Sequence, residues 1–276
     1  MNAGALRAEA RRWLAAARPA VVVEVAATRG SVPREAGTRM LVAADAVLGT
    51  IGGGHLEWQA IAEARARLGR RSTRGDEAPH EQRLALGPSL GQCCGGDVRL
   101  VYAPLDAAAL AAWPKAAPDF HLELHGAGHV GRAIVALLAG LDCRVRWIDE
   151  REAEFARLAV EGLPPHIEPL CVDAAEAEVA HAPPGACHLV LTHEHALDLR
   201  IAEAILKRGD FRWCGLIGSA TKRARFEHRL EARGLPRAAI ERLVCPIGVS
   251  GIAGKAPEAI AIAVVAQLLQ ATGGGA

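Results

Sequence analysis

Two cysteines stand side by side in SLGQCCGGDV (89–98), with glycines close on either side. Neighbouring side chains on an extended chain point to opposite faces, so such a pair can offer one sulfur outward while the other packs inward. Thiolates favour soft metals, which makes Cys93 and Cys94 the candidate metal contacts of this chain. A disulfide between adjacent cysteines requires strained geometry, so a single presented thiol is the simpler reading. Two further segments look built to admit a ligand. ATRGSVPREAGTRM (27–40) carries Arg29, Ser31, Arg34 and Arg39 between glycines, and guanidinium groups with open backbone N–H groups suit a phosphate or another polyanion. GTIGGGHLEWQA (49–60) sets Gly52, Gly53 and Gly54 before His55 and Glu57. Three glycines cost backbone entropy, a cost easier to understand where something approaches the main chain closely. A hairpin with a solvated charged face is the competing account of the arginines.

The second half carries a different chemistry. GAGHVG (126–131) fits the glycine fingerprint of dinucleotide-binding folds, following an apolar strand and opening a helix, and Asp149 ends the next strand 18 residues after Gly131. Gly126 would permit the tight turn, Gly128 the approach of a pyrophosphate, and Gly131 close packing of helix on strand. Asp149 would meet ribose hydroxyls, and Arg151 a 2′-phosphate in its place. A fold of this type whose glycines serve packing alone is the competing account. THEHALD (192–198) and IGSATKR (217–223) end two further strands at the edge where open α/β sheets bind ligands. His193, His195 and Asp198 are candidates for proton handling or metal binding, and Ser219, Thr221 and Lys222 for an anion at a helix start. CPIGVSGIAGKAPEAIA (245–261) is a glycine-rich loop running into a helix, with Lys255 before Pro257.

These residues must be held by two kinds of scaffold. Apolar strands at 20–28, 38–45 and 46–54, a helix at 55–69 and strands at 82–87 and 97–105 describe a small α+β domain over 1–112. An amphipathic N-terminal helix with Leu6, Trp13 and Leu14 on one face precedes them. The segment 70–81 reads as a solvated loop, and the proline-bearing stretch 113–119 as a linker. From 120 to 276, strands (120–126, 143–149, 167–173, 187–193, 213–219) alternate with helices (129–140, 151–160, 197–208, 222–234, 255–271). That alternation specifies an α/β, Rossmann-like, doubly wound parallel sheet.

Composition narrows the class. Of 276 residues, 51% are hydrophobic, enough for full cores, and the net charge of +1 argues against broad nucleic-acid or membrane-surface binding. The longest apolar stretch, Ile260 to Leu269, falls short of the ~20 residues a membrane span needs. The N-terminus lacks the apolar core of a secretory signal, and seven cysteines are an odd number. A cytoplasmic protein with free thiols is the expectation, with Cys143, Cys171, Cys187 and Cys214 as small core residues. Only four basic residues are lysine (115, 207, 222 and 255), which marks out Lys222 and Lys255 within motif-like segments.

Taken together, GSVPREAGTRM, GTIGGGHLE, LGQCCGGDV, GAGHVGRA, VRWIDER, LTHEHALD, GLIGSATKR and CPIGVSGIAGKAPEAIA resemble the XdhC/CoxI family, accessory proteins of xanthine dehydrogenase and related molybdenum hydroxylases. The double cysteine resembles the branch serving xanthine dehydrogenase. The resemblance implies a homodimeric chaperone, not an enzyme. It would bind the molybdenum cofactor (Mo-molybdopterin), hold it while a cysteine desulfurase helps replace an oxo ligand by sulfido, and pass it to apo xanthine dehydrogenase. It also implies that Cys93 or Cys94 acts near molybdenum or relays sulfur. Two other readings stand beside it: an NAD(P)-dependent oxidoreductase whose first domain is a substrate module, and a thiol-redox or sulfur-transfer protein.

Overall fold

The computed structural model describes residues 2–74, 78–86, 96–114, 117–156 and 162–273, leaving the side chains of 71–74 aside. The chain divides into two compact units, Met1–Ala116 and Ala117–Ala276.

The first unit is an antiparallel sheet with helices on both faces. Helix α1 (Ala3–Ala15) starts at Asn2, whose side chain accepts the Ala5 N–H at 2.7 Å. Strands β1 (Ala20–Arg29), β2 (Arg39–Ala43) and β3 (Val47–Gly49) lead to helix α2 (Gly54–Arg74), and β4 (His80–Ala85) and β5 (Asp97–Pro104) complete the sheet in the order β3-β2-β1-β5-β4. Every pairing is antiparallel. The pleat splits β1 by parity. Val21, Val23 and Val25 pack against Leu56, Ala60 and Ala64 of α2, while Ala20 and Val22 pack against Leu6, Ala10 and Trp13 of α1. Burial on both faces explains why this antiparallel strand reads as a nearly unbroken apolar run rather than as an alternation.

Helix α2 continues past residue 69 through part of the expected loop, and Glu63 pairs with Arg67 at 2.9 Å and Arg70 at 3.0 Å along its later turns. Helix α3 (Ala107–Ala112), capped by Asp106 on the Ala109 N–H at 2.7 Å, has no counterpart in the sequence reading. One apolar leucine among five alanines carries almost no periodic signal.

The second unit is the doubly wound parallel sheet. Strands β6 (Phe120–His125), β7 (Cys143–Asp149), β8 (Ile167–Cys171), β9 (Cys187–Val190), β10 (Trp213–Leu216) and β11 (Leu243–Val244) lie in the order β11-β10-β9-β6-β7-β8, all parallel. Chain order reverses between β6 and β9, which creates the crevice typical of dinucleotide-binding folds. Helices α4 (His129–Leu138) and α9 (Pro257–Thr272) cover one face through Ile134, Val135, Leu138, Val264 and Leu268. Helices α6 (His195–Arg208), α7 (Ala220–Ala232) and α8 (Arg237–Ile240) cover the other through Leu197, Ile201, Phe226, Leu230 and Ile240. Helix α5 (Glu152–Ala156) is shorter than the expected 151–160, of which 157–160 fall outside the described residues.

Strand β11, α8 and a 3-10 turn at Ala177–His181 were not legible in the sequence, because two to five residues are too few to show a period. Cys143, Cys187, Cys214 and Cys245 are buried, but Cys171 is exposed at the sheet edge, correcting its expected place in the core. Among the described residues no helix is long and apolar enough to cross a membrane.

Candidate functional site

In the first unit, antiparallel topology carries three of the sequence motifs to one end of the sheet. The end of β1 pairs with the start of β5 at Arg29 and Asp97, and β2 begins where β3 ends, with Met40 opposite Gly49. The connection 30–38, the turn 50–54 and both flanks of the cysteine segment therefore meet there. The flanks, Leu86 and Gly96, are joined by a 2.7 Å bond from the Leu86 N–H to the Gly96 carbonyl. Cys93 and Cys94 themselves lie outside the described residues.

Glycines allow the close contact. A Cβ on Gly96 would stand 2.3 Å from the Ser31 carbonyl oxygen, and one on Gly52 would stand 2.6 Å from the Pro33 ring and 3.6 Å from Cγ of Arg34. Gly52, Gly53 and Gly54 run at φ 121°, 74° and 64°, three successive left-handed residues that turn the chain into α2.

Glu57 holds that turn together. Its Oε2 accepts the Thr50 hydroxyl at 2.5 Å and the N–H groups of Ile51 and Gly53 at 3.0 and 3.1 Å. A residue expected to meet the ligand thus has one oxygen engaged by its own loop. His55 bonds Gln59 at 3.0 Å and stacks on Trp58 at 5.5 Å. Trp58 is 66% exposed, an aromatic face beside the glycine turn that sequence reading passed over as part of a helix. The arginines divide. Arg39 is bound to Glu24 at 2.8 Å and lies over the Trp113 ring, so it belongs to the scaffold. Arg29 and Arg34 are exposed and make no side-chain hydrogen bond or ion pair among the described residues.

In the second unit, the glycine fingerprint has the backbone the motif requires. A Cβ on Gly126 (φ 128°) would meet the Leu191 carbonyl oxygen at 2.4 Å, and one on Gly131 would meet the Gly126 oxygen at 2.2 Å, while a Cβ on Gly128 would meet nothing within 4 Å. The charges are another matter. Asp149 is only 4% exposed. Its Oδ2 accepts the Ala127 N–H at 2.6 Å and Nη2 of Arg151 at 2.8 Å, and its Oδ1 accepts the N–H and Nε of Arg151, each at 2.9 Å. Burial works to raise the Asp149 pKa, but these hydrogen bonds and the Arg151 charge outweigh it and hold the carboxyl below its ordinary value. Arg132 binds the Ala127 carbonyl at 2.8 Å and Glu154 at 2.7 Å. The residue expected to receive ribose hydroxyls is instead closed onto the loop and onto Arg151, the residue expected to replace it.

The other candidates gather in a cleft of about 450 Å³ at the ends of β9 and β10. His193 lines it from the loop after β9 and His195 from the first position of α6; Ser219, the residue that caps α7, and Thr221, Lys222, Arg225 and Arg229 line it along α7, Arg229 from the last turn. Asp198 does not join the histidines. It is fully buried, and its carboxylate accepts the Thr192 N–H at 2.9 Å, the Thr192 hydroxyl at 2.7 Å and the Lys222 ammonium at 2.6 Å. Lys222 also donates to the Ile217 carbonyl at 2.8 Å. Among the described residues no group of three or more His, Cys, Asp or Glu side chains is placed to hold a metal ion. Arg225 and Arg229 are cleft residues that the sequence reading missed. Their spacing from Lys222, three and seven positions on, was the available signal. Lys255 is exposed and does not line this cleft.

Burial pushes the thiols of Cys143 and Cys214 up to about 12 and that of Cys187 to about 11, which keeps all three protonated and unreactive.

Comparison with known proteins sets this geometry in a group. A family model described as the XdhC Rossmann domain matches residues 122–268, more than half of the chain, and one described as the XdhC and CoxI family matches residues 13–75. The uncharacterized protein YqeB of Escherichia coli (strain K12) is 33% identical over 261 residues, which is 91% of this chain and 43% of YqeB. The chain therefore spans less than half the length of that relative. A crystal structure of a xanthine dehydrogenase from Bacillus halodurans superposes with a TM-score of 0.76 at 19% identity, covering 100% of this chain and 97% of the other. At that identity the likeness is one of fold.

Proposed function

The chain belongs to the XdhC and CoxI family, and from that membership we propose an accessory role in the maturation of a xanthine dehydrogenase-type molybdenum hydroxylase. In this reading the protein is a cytoplasmic homodimer that binds Mo-molybdopterin as cargo. It holds the cargo while a cysteine desulfurase supplies sulfur, then hands it to the apo enzyme. Its task is to hold and release rather than to turn substrate over.

The observation that carries the proposal is the convergence in the first unit. Two guanidinium groups without a side-chain partner among the described residues, Arg29 and Arg34, stand with a left-handed glycine turn at one end of the sheet, and both flanks of the segment bearing Cys93 and Cys94 are held there. Molybdopterin is anionic, and its molybdenum is held by sulfur. Cationic side chains with open main chain suit the first property and thiolates the second. Trp58 and His55 add an exposed aromatic face against which a planar ring can stack. The closed state of Asp149 supports the carrier over a nicotinamide-dependent oxidoreductase, because the acidic group such an enzyme uses for ribose is already engaged.

The test is retention. The purified protein is incubated with molybdenum cofactor, freed of excess, oxidised and assayed for pterin fluorescence, and the loaded protein is then offered to apo xanthine dehydrogenase. We expect retained pterin and recovered activity. No retention sinks the proposal. Cys93→Ala, Cys94→Ala and Arg34→Ala should each weaken retention with an unchanged circular dichroism spectrum. Full retention in the double cysteine variant removes the thiols from the role given to them here.

A further inference from the structure

We infer that the cleft at the ends of β9 and β10 is a recognition site for a phosphomonoester or diphosphate group of a small ligand, and that in this sheet it replaces the glycine fingerprint as the anion site.

Charge carries the inference first. Among the described residues, no acidic side chain lines the cleft. Asp198, beneath the cleft, is fully buried and already balances Lys222. Arg225 and Arg229 are exposed on the same face of α7 and make no side-chain hydrogen bond or ion pair among the described residues. Two guanidinium charges are therefore uncompensated in a concave space, where low-dielectric walls strengthen their field. Guanidinium groups match phosphate oxygens in geometry as well as charge. Ser219 and Thr221 supply hydroxyls, and the positive end of α7 faces the same space.

Construction carries it second. A Cβ on Gly218 would stand 2.7 Å from Cδ of Lys222 and 3.2 Å from Sγ of Cys245, so glycine leaves the lysine stem room to reach Asp198 as it does here. Lys222 uses two of its three donors on Asp198 and on the Ile217 carbonyl. Phe226 and Ile217 give the wall an apolar part. About 450 Å³ holds a phosphate with the group it is attached to. An anion arriving at residues 126–128 instead meets the carboxylates of Asp149 and Glu154, each already paired with an arginine.

Inorganic pyrophosphate is the probe, titrated calorimetrically into the full chain. We expect saturable binding, weakened by about tenfold or more in the Arg225→Ala/Arg229→Ala variant. Arg233→Ala removes a like charge from the end of the same helix, paired to Glu203, and should leave the affinity unchanged. Neither cleft arginine has a side-chain hydrogen bond or ion pair among the described residues, so the double variant should keep its melting temperature. Absence of saturable binding, or equal affinity in the double variant, overturns the inference. Competition then names the source. Displacement of pyrophosphate by ADP identifies a nucleotide, displacement by the molybdenum cofactor identifies the phosphate of the cargo, and displacement by neither marks an adventitious anion patch and overturns it. The inference does not rest on the carrier reading: a protein that binds pyrophosphate here but retains no molybdenum cofactor keeps the first and loses the second.

Discussion

The loop after β6 and the cleft after β9 and β10 open from the same edge of one parallel sheet, and each stands at the start of a helix. The first has the glycines associated with phosphate binding, yet its arginines are taken: Arg151 by Asp149 and Arg132 by Glu154. The second has no recognised fingerprint, yet Arg225 and Arg229 have no side-chain partner among the described residues. A glycine motif reports how closely a backbone can be approached, whereas anion affinity depends on charge left uncompensated at that place. The two properties have separated along this edge.

The largest test of the contrast removes Asp198. Asp198→Ala leaves the Lys222 ammonium buried without its carboxylate and strips Thr192 of its acceptor, so a loss of about 3–5 kcal/mol is expected in urea denaturation. A loss below about 1 kcal/mol would show that Lys222 finds water easily and that the cleft floor is not built as described.

Gly131→Ala comes next. The new methyl collides with the Gly126 oxygen, and about 2–3 kcal/mol should be lost, read as a lower melting temperature, while pyrophosphate binding persists. Loss of pyrophosphate binding in a folded Gly131→Ala protein would return the anion site to the fingerprint.

Asp149→Ala should be milder, about 1–2 kcal/mol by denaturation, from the lost Ala127 and Arg151 hydrogen bonds. Combined with Glu154→Ala, which removes the remaining partner at 3.3 Å, it frees Arg151. A second pyrophosphate site should then appear in calorimetry, converting the closed edge into an open one. An unchanged stoichiometry would mean that charge compensation is not what silences the fingerprint.

The smallest effect near neutrality concerns the strands beneath both sites. His125, just before the glycine loop, and His188, on β9, stack at 6.1 Å in the interior. Burial lowers His125 to about 3 and His188 to about 4, from an ordinary 6.5. Below pH 6.5 the unfolded chain takes up protons that the folded chain refuses, so stability falls with pH through that window and levels off near pH 3. Glu123 works the other way, since burial pushes it up to about 7 against the attraction of Arg146. A His125→Leu/His188→Leu variant should therefore lose the acid-side decline in urea midpoint between pH 6.5 and 4. An unchanged decline would assign acid sensitivity to other groups.

The parallel sheet was legible because short strands with apolar residues at alternate positions, such as Leu122, Leu124, Val145 and Trp147, are separated by amphipathic helices. The N-terminal helix was legible through Leu6 and Trp13, whose spacing puts both on one face. Other features were out of reach. Arg29, Arg34 and Arg39 look alike in one loop, yet among the described residues only Arg39 finds a carboxylate, because Glu24 sits opposite it across the β1–β2 ladder. Arg225 and Arg229 look like solvated charges on a helix until the loop carrying His193 comes to lie over them. Cys93 and Cys94 fall outside the described residues, so their role still rests on sequence and family.

Local order was written in the chain itself. The residue-by-residue rhythm of apolar and polar positions, with glycines at the turns, determined the kinds of element and the class of fold, since such rhythms act between near neighbours. Which charges meet was decided only in three dimensions. Asp149 with Arg151 is near in sequence, but Asp198 with Lys222, and Gly52 against Pro33, are brought together by topology alone. Electrostatic balance at a site is a sum over such encounters, and a linear reading supplies the charges without their distances.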